Sequence, residues 1–144
     1  MAMEAKVIGR VKANFKEDQY QTREFWAAFV SEVIFPVSYA NNLKHLFSSF
    51  ETAFVLFNFH CCRPEDVKMM HIPKGFKTGS PRGVFSVGGP SRPNHMGISE
   101  CALISLREED DNVVLTLRGL DALDGSPVMS IIPGKPKTHT ENDL

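Results

Sequence analysis

No stretch of this sequence stays apolar for the roughly 18 residues that would span a bilayer, and its first residues carry no signal-peptide pattern. A soluble intracellular protein, cytoplasmic by default and with no membrane partner, is expected. Cysteine is scarce, with only Cys61, Cys62 and Cys101. An odd, unspaced set excludes a secreted disulfide framework and fits a reducing compartment. Net charge is close to absent, −1 over 144 residues, so the surface as a whole makes no case for a polyanion. There is no Gly-x-Gly-x-x-Gly opening a helix, no P-loop and no internal repeat. Their absence argues against the familiar dinucleotide-type α/β sandwich. What remains is an ordinary globular composition, 42% hydrophobic and 23% charged, over residues 1–144. That is enough for one domain with a real core.

Glycine and proline are not spread evenly. Between Pro81 and Ser99 a loop contains Gly88, Gly89, Pro90, Pro93, Asn94 and Gly97, flanked by apolar runs at Gly83 to Val87 and Ile98 to Leu106. Gly and Asn reach positive φ cheaply and Pro fixes φ, so the loop holds one shape and exposes backbone N–H groups. Arg92 stands in its middle. Its planar fork suits a carboxylate, a phosphate or a base edge, and equally the loop's own backbone carbonyls. Charge is also uneven. Arg63 to Arg92 holds six Lys/Arg against Glu65 and Asp66, and Glu108 to Asp111 is acidic. A basic segment beside a ligand loop could meet a polyanion, or be a solvated mixed surface.

Periodicity and turn signals give the elements. Ala5 to Ala13 is partly alternating and reads as a strand. Asn14 to Glu24 reads as a polar loop with Arg23 as a candidate contact. Phe25 to Val37 is aromatic and β-branched and reads as a strand ending at Pro36. Ser38 is the expected N-cap of one short helix carrying Leu43, Leu46 and Phe47. Ala53 to His60, the most apolar run, reads as a buried central strand. Asp66 to Ile72 and Gly83 to Val87 read as further strands, with a basic loop from Pro73 to Ser80 between them. Cys101 to Leu106 and Val113 to Leu117 form a hairpin about an acidic turn, Leu120 to Ser126 a tight Asp-Gly loop, and Val128 to Ile132 a last strand. Pro133 to Leu144 reads as an irregular tail. Seven or eight sequential strands and one helix predict a mainly β fold, a single antiparallel sheet curled into a barrel.

His60, Cys61 and Cys62 stand at the mouth of the most apolar strand. Adjacent cysteines with no Cys-x-x-Cys partner do not suit one tetrahedral zinc, so no metal is expected, and a Cys–His nucleophile pair is weakly supported. A polar residue at the mouth of a buried strand is a better candidate for ligand contact, or a satisfied strand-end histidine.

Two segments together resemble a known family. Gly83-Val-Phe-Ser and Arg92-Pro-Asn-His-Met-Gly-Ile-Ser99 are similar to its Gly-Val-Phe-Ala-Thr-Arg-Ser and Arg-Pro-Asn-Pro-Ile-Gly-Leu-Ser. Leu120-Asp-Ala-Leu-Asp-Gly-Ser-Pro-Val128 is similar to its Leu-Asp and Asp-Gly-Thr-Pro-Val. Upstream, Val55-Leu-Phe-Asn-Phe-His60 resembles Val-Leu-Phe-x-Phe-His, and Ile8-Gly9 and Lys16-Glu17 fit the opening strand and loop. The family is the TsaA-like family, also called YaeB or TrmO, and the resemblance runs along essentially the whole chain. It implies a β-barrel that binds S-adenosylmethionine as a homodimer and methylates tRNA on N6 of threonylcarbamoyladenosine.

By position, the resemblance implies cofactor contacts at Thr22, Arg23, Glu24, His60, Cys61, Gly88, Ile98, Ser99, Leu123, Asp124, Gly125 and Ser126, with Arg92 and Asn94 from the Arg-Pro-Asn segment. His60 and Asp124 are candidate catalytic bases, Asp124 alternatively a turn stabiliser. Departures from the family pattern are specific. Gly88 stands where the family has arginine, His95 where it has proline, Glu51-Thr52 for Ser-His, Thr22-Arg23-Glu24 for Pro-Arg-Gln, and Ser130-Ile-Ile-Pro-Gly134 for Asp-Ile-Lys-Pro-Tyr. Three functions stay open: a tRNA methyltransferase, a methyltransferase for another substrate, and a binding barrel without the chemistry.

Overall fold

Alternation of apolar and polar side chains organises the strands. The computed structural model describes residues 3–15, 22–72 and 79–138. Strand β3 (Thr52–Asn58) buries Ala53, Val55 and Phe57, and strand β2 (Val30–Pro36) buries Ser31, Val33 and Phe35. Strand β7 (Asn112–Arg118) buries Val113, Leu115 and Leu117, while β1 (Gly9–Lys12) buries Val11. With a side-chain period of two, one face of each strand points to a common axis. Together with β6 (Met96–Glu109) and β8 (Pro127–Pro133) they close a six-stranded barrel in the order β1-β2-β7-β6-β3-β8. All neighbours are antiparallel. Closure leaves no unpaired edge. A separate two-stranded ribbon pairs β4 (Met70–His71) with β5 (Arg82–Gly83).

Antiparallel closure sorts the connections onto two rims. The ends of β1, β3 and β7 stand beside the starts of β2, β6 and β8, so among the described residues 13–15, 22–29, 59–72, 79–95 and 119–126 belong to the connections of one rim. The opposite rim carries residues 37–51 and the two-residue β6–β7 hairpin at Asp110, which takes φ 55. There a 3-10 turn (Val37–Tyr39) runs into helix α2 (Ala40–Ser49). Ala40 and Leu43 join the barrel core, and α2 leaves a cleft of about 240 Å³ against Ile8, Phe35, Ile131 and Pro133. No helix among the described residues is long and apolar enough to cross a membrane.

The barrel and the helix after Ser38 agree with expectation, but five local readings do not. Phe25 to Val37 is not one strand: helix α1 (Arg23–Ala28) precedes β2. Thr22 caps it, its Oγ1 accepting from Phe25 N at 3.1 Å, and Phe25 and Phe29 stack at helical spacing. The cap and ring packing outweigh the strand propensity of aromatic residues. Ser38 lies inside the 3-10 turn, and the N-cap of α2 is Tyr39 with no side-chain cap bond. Asp66 to Ile72 and Gly83 to Val87 shorten to the two-residue β4 and β5, because 3-10 turns at Pro64–Asp66 and Val84–Ser86 take their place. Ser86 Oγ donates to Gly83 O at 2.8 Å and fixes the second of these turns. The chain beyond Pro133 is not wholly irregular, since Pro136 bridges Phe50 and Lys137 N donates to Ser49 O. Most of the basic loop at 73–80 and part of the polar loop at 14–24 lie outside the described residues, as does the end of the tail.

Candidate functional site at the barrel rim

Every position that the sequence marked for a ligand sits on, or at the strand ends bordering, the rim that carries described residues 22–29, 59–72, 79–95 and 119–126. Three connections build it, and backbone hydrogen bonds join them. Residues 119–126 form the floor. Leu120 and Ala122 are buried, Gly119 N donates to Phe29 O, and Asp124-Gly125 makes a tight turn with Gly125 at φ 84. A side chain there would be strained, which accounts for the Asp-Gly signal. Asp124 Oδ1 accepts from Ala13 N at 3.0 Å, Asp124 N donates to Phe15 O, and Gly125 N donates to Val11 O at 2.8 Å. Of the two roles open to Asp124 from sequence, this geometry performs the turn-holding one. Leu123 is half-buried, and its carbonyl accepts both Ser126 N and Ser126 Oγ.

His60 follows β3 in a turn and lies over this floor. Its Nδ1 is 3.3 Å from Ser126 Oγ, and its Nε2 is 3.7 Å from Cys61 Sγ. Cys61 is exposed, whereas Cys101 is buried in the core. Burial, helped by Glu100, pushes the Cys101 thiol up to about 12. Among the described residues no group of three or more His, Cys, Asp or Glu could hold a metal ion.

The Gly/Pro loop owes its shape to Arg92. Arg92 Nη2 donates to Val84 O at 2.9 Å and to Val87 O at 3.0 Å, so the guanidinium gathers the loop's own carbonyls. That is the internal one of its two possible uses. Asn94, at φ 66, accepts at its carbonyl from Asn58 Nδ2. His95 is buried at φ 49, its Nδ1 donates to Pro90 O at 2.8 Å, and its Nε2 has no partner. Gly88 faces open space: among the described residues, nothing beyond its chain neighbours lies within 4 Å of where a Cβ would stand. Ile98 is 61% exposed at the foot of β6, and Ser99 Oγ accepts from Asp121 N at 3.3 Å, tying β6 to the floor. Asp66, near the ribbon, is held below the usual carboxylate range by the backbone N–H of Arg63.

Helix α1 supplies the third wall, with Thr22 as its cap and Arg23 and Glu24 exposed in its first turn. Beside them lies a feature the sequence reading missed: Phe15, Phe25, Trp26 and Phe29 form one cluster with ring centroids 5.0 to 6.3 Å apart. The i, i+4 spacing of Phe25 and Phe29 behind a threonine was the available signal. Phe15, reached through the backbone bond to Asp124, joins the cluster to the His60 floor.

A closed antiparallel barrel with an aromatic helix, a histidine turn and a Gly/Pro loop on one rim defines the class as a six-stranded antiparallel β-barrel. The particular family is the tRNA-methyltransferase O N-terminal domain, whose model matches residues 12–139, and the chain belongs to it. An S-adenosyl-L-methionine-binding protein of Archaeoglobus fulgidus is 34% identical over 140 residues, covering 96% of this chain and 94% of that protein. A probable S-adenosyl-L-methionine-binding protein of Methanothermobacter thermautotrophicus is 33% identical over 135 residues, covering 92% and 90%. The tRNA (adenine(37)-N6)-methyltransferase of Escherichia coli is 32% identical over 107 residues, 72% of this chain but 44% of the enzyme. Crystal structures of TrmO from Pseudomonas aeruginosa align with TM-scores of 0.64 and 0.67 at 24% and 25% identity. The chain spans about half of their length, 56% and 55%.

Proposed function

We propose that this chain binds S-adenosylmethionine at the rim and methylates N6 of threonylcarbamoyladenosine in tRNA. The observation that carries the proposal is the convergence of all three family-like segments on one rim, around His60. The residues present fit the cofactor's chemistry. The Phe15, Phe25, Trp26 and Phe29 rings offer aromatic faces to an adenine and a cationic centre. Arg23 is an exposed cation for the carboxylate, and the open space at Gly88 admits a ligand to the loop. When bound, S-adenosylmethionine supplies a methyl group already activated by a sulfonium.

The protein's part is then mostly alignment, which can supply about 7–11 kcal/mol. The rigid loop pinned by Arg92 and the floor pinned by Asp124 provide it. In this proposal His60 takes up the proton leaving the acceptor nitrogen, a role that typically adds 10²–10⁴-fold. Transfer RNA is the proposed partner, and a homodimer the proposed assembly, read out by light scattering. A calorimetric titration with S-adenosylmethionine, followed by methyl incorporation into threonylcarbamoylated and unmodified tRNA, tests the reading. Binding with transfer only to the modified tRNA is expected, and absence of binding refutes it.

One observation favours a second reading. Gly88 leaves open space where the resemblance puts an arginine, and the relatives matched over nearly their whole length are named as binding proteins. A barrel that binds the cofactor without methylating tRNA would titrate normally and incorporate no methyl group.

A further inference from the structure

Ser126 is buried, 2% exposed, and its hydroxyl has two neighbours: Leu123 O at 2.7 Å and His60 Nδ1 at 3.3 Å. A hydroxyl has one proton to donate, and a carbonyl can only accept. The short contact to Leu123 O therefore takes the Ser126 proton. Toward His60 the oxygen is left as an acceptor, so the imidazole must donate from Nδ1. A neutral imidazole carries one proton, and with Nδ1 protonated Nε2 is a lone pair. That nitrogen lies beside Gly125, where a Cβ would stand 3.6 Å away, and 3.7 Å from Sγ of the exposed Cys61, whose thiol is then its weak donor, one that an acceptor N–H can replace.

We propose that Ser126 is a positioning residue which holds His60 in the tautomer protonated on Nδ1, so that Nε2 presents its lone pair at the rim. The inference deepens the proposed function and rests on it for the chemical use of that lone pair. The N–H bond of the methyl acceptor breaks, its proton forms the new bond to Nε2, and its electron pair remains on the acceptor nitrogen for the incoming methyl group. The resulting imidazolium keeps its Nδ1–H on Ser126 and returns the Nε2 proton to solvent. The Ser126 side chain thus faces the histidine and the Leu123 carbonyl, not a ligand. A wrong tautomer would present an N–H to the acceptor and take up no proton.

The ring nitrogens can be read directly. Uniformly ¹⁵N-labelled protein at about pH 8.5, two units above the ordinary imidazole pKa of about 6.5, shows which nitrogen of each neutral histidine carries hydrogen. The His60 signals among the five histidines are assigned by their loss in His60→Gln. Nδ1–H is expected in the wild type and in Ser126→Thr, which keeps the hydroxyl, and a shift toward Nε2–H is expected in Ser126→Ala. An Nε2–H wild type, or a Ser126→Ala spectrum identical to wild type, overturns the proposal, and the wild-type measurement stands even where the variant fails to fold. In the loaded enzyme Ser126→Ala should lower methyl transfer by about tenfold to a hundredfold, within the span of general-base effects. Ser126→Thr should restore transfer. Cofactor affinity should change less than about threefold in both. A wild type protonated on Nδ1 that transfers no methyl group supports the tautomer assignment and refutes the functional reading separately.

Discussion

Gly97 offers the most exacting test of how packing supports the rim. It lies in β6 opposite Phe57 of β3. A Cβ built there would stand 2.7 Å from Phe57 Cζ, 2.9 Å from Phe57 Cε2 and 2.8 Å from Phe59 Cζ. Carbon atoms prefer about 3.5–4.0 Å, so an alanine methyl intrudes on two rings by about 1 Å. Phe57 is 1% exposed and has nowhere to go. Phe59 is half-buried and can swing, but it meets Phe57 edge to face at 5.1 Å, its N donates to His95 O, and it directly precedes His60. In an ordinary strand, replacing glycine by alanine stabilises by roughly 0.5–1 kcal/mol. Here overpacking of about 1–3 kcal/mol should outweigh that gain. With a urea m-value of about 1–3 kcal/mol/M, the unfolding midpoint of Gly97→Ala should fall by roughly 0.6 M. Adding Phe59→Leu should recover part of the loss by removing one of the two clashing rings. A midpoint equal to or above wild type refutes the packing argument. The same substitution should weaken S-adenosylmethionine binding, because whatever moves Phe59 moves His60.

Three further outcomes are expected. Cys101 keeps its proton in the folded state to about 12 against an ordinary value of 9.0, so the unfolded chain loses a proton first as pH rises. Stability should therefore fall between about pH 9 and 12, and Cys101→Ala should flatten that limb of the urea-midpoint profile. Arg92→Ala frees the carbonyls of Val84 and Val87, so proteolytic nicking within residues 84–92 should rise and S-adenosylmethionine affinity fall at least tenfold, with unchanged calorimetry as the refuting result. Arg107 pairs with Glu32 at 2.8 Å and Glu109 at 3.0 Å on the exposed surface, so Arg107→Ala should shift the urea midpoint only slightly, and less still in high salt, with a large shift as the refuting result.

Much of the barrel was legible because its information is local. Ala53, Val55 and Phe57 alternate within one strand, and Asp124-Gly125 announces its own turn. What escaped depends on contacts between distant segments. Helix α1 looks like a strand until Phe15, ten residues earlier, supplies a ring for Phe25 to pack against at 5.8 Å. Strand β5 looks longer than two residues until Arg92, arriving from further along the chain, collects Val84 O. The same residue shows why the candidate site was only half readable: a guanidinium fork fits a ligand carboxylate and a backbone carbonyl alike, and only the fold decides between them. Ser126 repeats the lesson, since nothing in Asp-Gly-Ser reveals that a histidine 66 residues away shares its hydroxyl.

The two-rim geometry also governs how the protein can be handled. Strand β1 begins, and β8 ends, on the rim that carries α2, and Lys137 is still bound there to Ser49. A linker or surface tether attached after residue 138 would depart from the side opposite His60. Immobilised that way, the domain would present its histidine face outward to solution, with the barrel itself serving as the spacer.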